Sequence, residues 1–90
     1  MNREGKCCFV QLYCDHFDIR QTSSRELSQR LGFGKQETAW ILRQIGWDSI
    51  KTKTEPFYVW ARNGHAKDFN ASARAYARKK LKRLLEAKNE

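Results

Sequence analysis

The sequence predicts an α+β fold, mainly α, in which a three-helix core carries a two-stranded hairpin and a long basic helix follows. Three observations lead to this prediction. Apolar residues recur at helical spacing in four segments, glycines end two of them, and two short runs typical of strands follow the third. A chain of 90 residues is long enough for one domain that buries a core.

The first helix is predicted over residues 6–18, with its apolar face in the core. The residues that define this face are Val10, Tyr13, Cys14 and Phe17, with Cys7 one heptad before Cys14. The segment 19–22 is too short to extend the helix, and it has a β-branched residue at each end. We therefore predict a short strand there.

The second and third helices are predicted on either side of a tight glycine turn. Ser23 or Ser24 can cap the second helix, over 24–31, and Gly32 ends it. The turn is Gly32-Phe33-Gly34, because glycine reaches positive φ without steric penalty. The third helix is predicted over 35–45, and its inward residues are Thr38, Ile41, Leu42 and Ile45. Its outward residues are Gln36, Ala39, Trp40, Arg43 and Gln44.

A β-hairpin and a last helix complete the predicted elements. Residues 47–53 alternate apolar and polar side chains, and 57–61 are aromatic and β-branched, so the two runs are predicted to pair. Trp47 and Trp60 are expected to be core residues that seat the hairpin. The last helix is predicted from about 66 to 87, and its apolar side comprises Phe69, Ala73, Tyr76, Ala77, Leu81, Leu84 and Leu85. We expect residues 1–63 to form the main unit and 64–90 the added helix.

The charge points to a polyanionic partner. The formal net charge is +8, and residues 1–20, 21–63 and 64–90 contribute 0, +3 and +5. Because 40% of the residues are hydrophobic, a disordered basic tail is excluded. A domain of this size has little spare volume for a catalytic cleft, so a binding module is expected rather than an enzyme.

Location and thiol chemistry are also predicted from composition. No apolar run approaches the roughly 20 residues of a membrane helix, and the start of the chain lacks the order of a secretory signal. The odd number of cysteines, three, suits a reducing compartment with free thiols. We therefore expect an intracellular protein, cytoplasmic and nucleoid-associated or nuclear, with no membrane partner.

Neither a metal site nor a catalytic centre is expected. The residues that invite a zinc hypothesis are Cys7, Cys8, Cys14, His16 and His65, but their spacing lacks paired Cys-x2-Cys knuckles. Small hydrophobes on a helix explain the thiols better. Asp15, Asp18 and His16 lie close in sequence without a nucleophile motif, so they are interpreted as solvated charges. No cofactor and no small-molecule substrate are expected.

Three segments resemble winged-helix DNA-binding domains: TSSRELSQRLG at 22–32, the helix at 36–46 that ends in an apolar residue and glycine, and the closing YVW at 58–60. The likeness covers roughly residues 8–61. It implies a winged helix-turn-helix with a three-helix core and a two-stranded wing, to which this chain adds a long C-terminal helix. A weaker likeness, on 42–47 with Trp60, is to small winged-helix modules of phage and plasmid replication proteins.

The same stretch looks like the domains that bind left-handed Z-form nucleic acid. Those domains place an asparagine and a tyrosine on the third helix, where this sequence has Ala39 and Arg43. Their wing carries Thr-Pro-Pro followed by Leu and Trp, where 54–58 change one proline and the tryptophan. We therefore expect binding to an ordinary B-form duplex.

The winged-helix resemblance implies a set of DNA contacts. The recognition-helix residues are Lys35, Gln36, Ala39, Trp40, Arg43 and Gln44. Arg43 can donate two hydrogen bonds to guanine, and Gln36 or Gln44 can pair with adenine. Trp40 could press on a thymine methyl or the sugar backbone. The phosphate-contacting residues are Ser24, Arg25 and Lys35 near helix N-termini, and Lys51, Lys53 and Arg62 in the wing.

The last helix leaves three roles open. Its basic residues are Arg74, Arg78, Lys79, Lys80, Lys82 and Arg83. They could track a phosphate backbone, the apolar stripe could pair with the first helix of a second subunit in a homodimer, or the helix could simply dock on its own core.

The function expected is sequence-specific binding of double-stranded DNA, as a transcriptional regulator or a replication or recombination accessory factor, with a phage or mobile element as one source. The alternative is a protein-interaction module such as an adaptor or inhibitor, whose basic face meets an acidic protein. RNA binding is a weaker option because no exposed aromatic array on a sheet is evident.

Overall fold

The computed structural model describes residues 3–54, 58–63 and 67–88. The described elements are α1 (Arg3–His16), β1 (Gln21–Thr22), α2 (Ser24–Leu31), α3 (Lys35–Gln44), β2 (Asp48–Lys51), β3 (Tyr58–Ala61) and α4 (Ala71–Lys88). The fold is therefore α+β and mainly helical, as predicted.

Helix α1 begins and ends earlier than the sequence predicts. The chain leaves the helix after His16, and Asp18 adopts a left-handed φ of 51°. Ile19 N–H then donates to Cys14 O over 2.8 Å. Phe17 consequently falls outside the apolar stripe and is 37% exposed. Its prediction as a core residue is wrong.

The α2, turn and α3 unit follows from local chemistry. Ser23 caps α2, its hydroxyl accepting a hydrogen bond from Glu26 N–H over 3.0 Å. Gly32 ends the helix at φ 73°, where its N–H donates to Ser28 O over 2.8 Å. Four inward residues of the third helical segment are buried as predicted: Thr38, Ile41, Leu42 and Ile45. The helix itself ends at Gln44, one residue earlier than expected.

The sheet has three antiparallel strands in the order β1-β3-β2, where the sequence predicted a two-stranded hairpin and a separate short strand. Within the hairpin, Lys51 opposes Tyr58 and Ser49 opposes Trp60. The short strand joins β3 through the pair Thr22 and Trp60. Strand β2 is shorter than predicted at both ends, and β3 ends at Ala61 as predicted. Residues 55–57, which hold most of the predicted connection and the first predicted residue of the returning strand, lie outside the described residues.

The core lies between the helices and the inner face of the sheet. Its largest fully buried side chains are Tyr13, Phe9, Leu27, Ile41 and Leu42. Trp47 and Trp60 are also buried, at 6% and 5% exposure, which confirms their prediction as core residues. The two tryptophan side chains thus pack in the core between the sheet and the helices.

Helix α4 begins at Ala71, several residues later than predicted. Asn70 acts as its cap, since its side-chain oxygen accepts from Ala73 N–H over 2.8 Å. The amide nitrogen of Asn70 donates to Glu4 over 2.7 Å, and Lys67 exchanges two hydrogen bonds with the Gln11 side chain. These contacts attach the approach to α4 to α1. Residues 64–66, where the helix was predicted to start, lie outside the described residues.

Helix α4 docks on α1 through small residues. Ala73 and Ala77 are fully buried, and Tyr76 lies against Gly5. A Cβ atom at Gly5 would approach Tyr76 Cδ1 to 2.5 Å. The two helices are therefore as close as a glycine at this crossing allows.

Replacing Gly5 with alanine is expected to lower the free energy of unfolding, although alanine favours helix by about 1 kcal/mol. The added methyl group must displace the Tyr76 ring, and such overpacking costs about 1–3 kcal/mol. Urea unfolding measures the net effect. In a Tyr76→Ala background, Gly5→Ala should cost nothing or stabilise, and equal losses in both backgrounds would contradict the crossing geometry.

Candidate nucleic-acid interface

One side of α3 faces solvent and carries most of the predicted recognition residues. Lys35, Gln36, Arg43 and Gln44 are exposed, and Trp40 is 37% exposed. Ala39 differs from the prediction, because it is half-buried and packs against the core. The surface offered by α3 therefore consists of long polar side chains and one indole.

The exposed side of α3 lies between the sheet and the start of α1. Toward the sheet, the Arg43 guanidinium lies 5.7 Å from the ring centroid of Trp60. Toward α1, Trp40 lies beneath Arg3, whose guanidinium is 5.4 Å from the indole centroid. Two cation-aromatic contacts of this kind therefore flank the helix.

Most of the predicted phosphate-contacting residues are accessible. Arg25, Lys51 and Lys53 are exposed, whereas Ser24, the first residue of α2, is half-buried. Lys51 lies at the end of β2, opposite Tyr58. The start of α2 and the hairpin thus present exposed cations.

Arg62 does not fit its predicted role as a wing residue. Its guanidinium pairs with Asp15 over 3.1 Å, donates to Ile19 O over 2.9 Å and lies 5.6 Å from the Trp47 centroid. These contacts hold the chain that leaves β3 against the end of α1. Asp15, which was interpreted as a solvated charge, is the partner in this ion pair.

The six basic residues of α4 that the sequence singles out divide into two groups. Five are exposed, namely Arg74, Arg78, Lys79, Lys82 and Arg83. Lys80 is half-buried, and its ammonium lies 5.1, 5.0 and 5.8 Å from the rings of Phe9, Phe33 and Tyr76. The methylene stem of Lys80 therefore covers core side chains, and this residue differs from the predicted solvent-facing cation.

The charge around α3 is predominantly positive. Glu37, on the first turn of α3, is neutralised by Lys6 at 2.6 Å. Within the described ranges, the other ion pairs join Arg20 to Asp18 and Arg62 to Asp15. Lys35 and Arg43 take part in none of these pairs, so their charges are available to a ligand.

A cleft of about 550 Å³ separates the start of α1 from α3. Its lining residues are Arg3, Lys6, Gln36, Glu37, Trp40 and Ile41. Sequence reasoning missed Arg3 and Lys6, because the first helix was predicted to begin only at residue 6. The available signal was their spacing of three residues, which places two bases on one helical face.

The thiols are buried, as expected for small hydrophobic residues of a helix. Cys7, Cys8 and Cys14 are free, and burial raises the pKa of each thiol, for Cys14 to about 12. Among the described residues, no group of three His, Cys, Asp or Glu side chains could hold a metal ion. His65, named in the zinc hypothesis, lies outside them.

We expect all three thiols of the folded protein to resist iodoacetamide at about pH 8, because the thiolate is the nucleophile and burial suppresses it. The neutral thiol is favoured in the fold, so Cys14 contributes stability below its ordinary pKa of 9.0, which is lost as pH rises toward about 12. Mass spectrometry counts the modified thiols. Unfolding in guanidinium should expose all three, and rapid labelling of the native chain would contradict the buried placement.

None of the described helices combines the length and the apolar character needed to cross a membrane. Comparison of the chain with protein-family models, curated proteins and solved structures found no match.

Proposed function

We propose that the chain is a winged helix-turn-helix protein that binds double-stranded B-form DNA, with α3 in the major groove and the hairpin beside it. The order of elements supports this proposal. Helices α2 and α3 are joined by the turn at Gly32, the hairpin of β2 and β3 follows, and β1 pairs with β3. A net charge of +8 favours a polyanion as the ligand.

The observation that carries the proposal is the exposed face of α3. A major groove about 12 Å wide admits one helix, whose outward side chains then meet base edges. Arg43 and Gln36 are exposed and lie seven residues apart, so they occupy the same side of the helix. Arg43 suits guanine, and Gln36 or Gln44 suits adenine.

The remaining contacts would position the protein without specifying sequence. Arg25 at the start of α2, Lys35 at the start of α3, and Lys51 and Lys53 in and beside β2 can hold phosphates. The exposed bases of α4 would add affinity for any sequence, because phosphate neutralisation releases counterions irrespective of the bases. We propose a role in transcription, replication or recombination on this basis.

Titration against mixed-sequence duplex in low and moderate salt tests DNA binding, and selection from a random duplex pool tests specificity. We expect binding that weakens steeply with salt and a selected consensus. A palindromic consensus would also support a homodimer, since paired half-sites reflect two-fold symmetry. Absence of binding even in low salt would overturn the proposal.

A protein-contact role is the second candidate, and the exposed Trp40 beside Arg3 favours it. Tryptophan and arginine dominate the residues that anchor protein interfaces. In that case the basic face would meet an acidic protein surface, and duplex DNA would compete weakly or not at all for the same residues. The salt titration separates the two functions.

A further inference from the structure

The cleft between α1 and α3 has features that groove recognition leaves unused. Trp40 forms one wall and is 37% exposed, whereas Trp47 and Trp60 are buried. Arg3 lies over the same indole, at 5.4 Å from its centroid. The volume of about 550 Å³ lies within the roughly 300–1,000 Å³ of ligand-binding pockets.

The indole of Trp40, which is 37% exposed and has only the mobile-ended side chain of Arg3 over its ring among the cation contacts of the described residues, is poorly matched to a paired base. Within a duplex, neighbouring bases cover both faces of each base, and the grooves expose only base edges. Indole has one N–H donor and no acceptor, so it distinguishes few edge patterns. Its face instead suits stacking on a base that has left the duplex or never entered it.

The charges of the cleft suit the phosphate of the same nucleotide. Lys6 is held by Glu37 at 2.6 Å, and the two charges cancel. Arg3 is exposed and forms no ion pair among the described residues, so its charge remains. A planar guanidinium can bind phosphate through two hydrogen bonds and also stack on a ring. Gln36 can donate to and accept from the edge of the base.

We propose that this cleft binds one unpaired nucleotide, whose base takes the place of the Arg3 guanidinium on the Trp40 ring while that guanidinium turns to the phosphate. The inference rests on the proposed function, because Gln36 and Trp40 belong both to the cleft and to the exposed face of α3. A duplex in contact with α3 would therefore be bound best where an unpaired nucleotide adjoins it. The ligand class is a junction between single-stranded and double-stranded DNA.

The test compares a blunt duplex with the same duplex carrying an oligothymidine tail, attached in turn at the 5′ and at the 3′ end. We expect one tailed form to bind roughly tenfold more tightly than the blunt form. Stacking should also quench tryptophan fluorescence, and the signal should come from Trp40, since the other two indoles are buried.

Matched variants separate stacking from general effects. Arg3→Ala should abolish the preference for the tail while leaving binding to the blunt duplex within about threefold, because Arg3 belongs to α1 and not to the recognition helix. Trp40 also lies on the exposed face of α3, so Trp40→Leu is judged by the ratio of tailed to blunt affinity, which should fall to about one, and Trp40→Phe should retain part of the preference. Arg20→Ala removes an equal charge outside the cleft, where Arg20 pairs with Asp18. This control should preserve the ratio of tailed to blunt affinity.

The outcomes distinguish this inference from the proposed function. Equal affinity for tailed and blunt duplex overturns the inference and leaves duplex binding intact. A tail preference that survives both Arg3→Ala and Trp40→Leu overturns it as well. Failure to bind any duplex, with binding of an acidic peptide at Trp40 instead, would overturn both.

Discussion

Replacing Phe9 with alanine should remove a large part of the domain's free energy of unfolding. Phe9 is 2% exposed, its ring lies 6.2 Å from the rings of Tyr13 and Phe33, and Lys80 lies over it at 5.1 Å. Truncation of a buried phenylalanine to alanine costs about 3–5 kcal/mol. The total free energy of unfolding of a folded domain is only about 5–15 kcal/mol. Circular dichroism and urea unfolding measure the loss.

Phe17→Ala provides the matched control, because it removes the same side chain from a position just beyond the end of α1. Phe17 is 37% exposed and contacts the rings of Tyr13 and His16 at 4.8 Å. Its loss should cost about 1 kcal/mol. Comparable destabilisation by the two substitutions would contradict the position of the core.

Replacing Arg43 with alanine should weaken binding to the selected DNA site by about 1–3 kcal/mol, which corresponds to roughly 5–150-fold. Arg43 is exposed on α3, and its guanidinium lies 5.7 Å from the ring centroid of Trp60. Its removal should therefore leave the free energy of unfolding nearly unchanged. Competition binding with specific and random duplex measures the two affinities, and only the first should fall strongly.

Two further variants test the assignment of roles. Arg43→Lys retains the charge but cannot donate two hydrogen bonds to one guanine in the fixed geometry of a guanidinium. It should therefore be little more specific than Arg43→Ala. Lys79→Ala removes an exposed charge from α4 and should weaken binding to all sequences alike, reducing the log-log salt slope by about 1. Equal losses from Arg43→Ala on specific and random duplex would refute base recognition by α3.

The helices and the turn that position the candidate site could be predicted because their signals are local. Ser23 as a cap, Gly32 in the left-handed region and the buried positions Ile41 and Leu42 each follow from residues within one or two turns. The exposure of Arg43 follows from the same periodicity.

The contacts that the sequence did not predict join residues far apart in the chain. Arg62 binds Asp15, and Arg3 lies over Trp40, and neither pairing has a local pattern. The same holds for the pairing of β1 with β3. The later start of α4 was different, because Asn70 is a recognisable cap whose signal was available but was outweighed by the apolar spacing from Phe69.

Phe33 lies in the connection between α2 and α3. The ammonium groups of Lys6 from α1 and Lys80 from α4 lie over its ring, 5.4 and 5.0 Å from the ring centroid. The chain's two distant ends therefore converge on the short loop that sets the angle of α3. Trimming the protein before residue 80 would remove one of these supports and uncover Phe9 as well. We therefore expect a fragment of residues 1–63 to be less stable than the full chain, and the domain to melt in a single cooperative step.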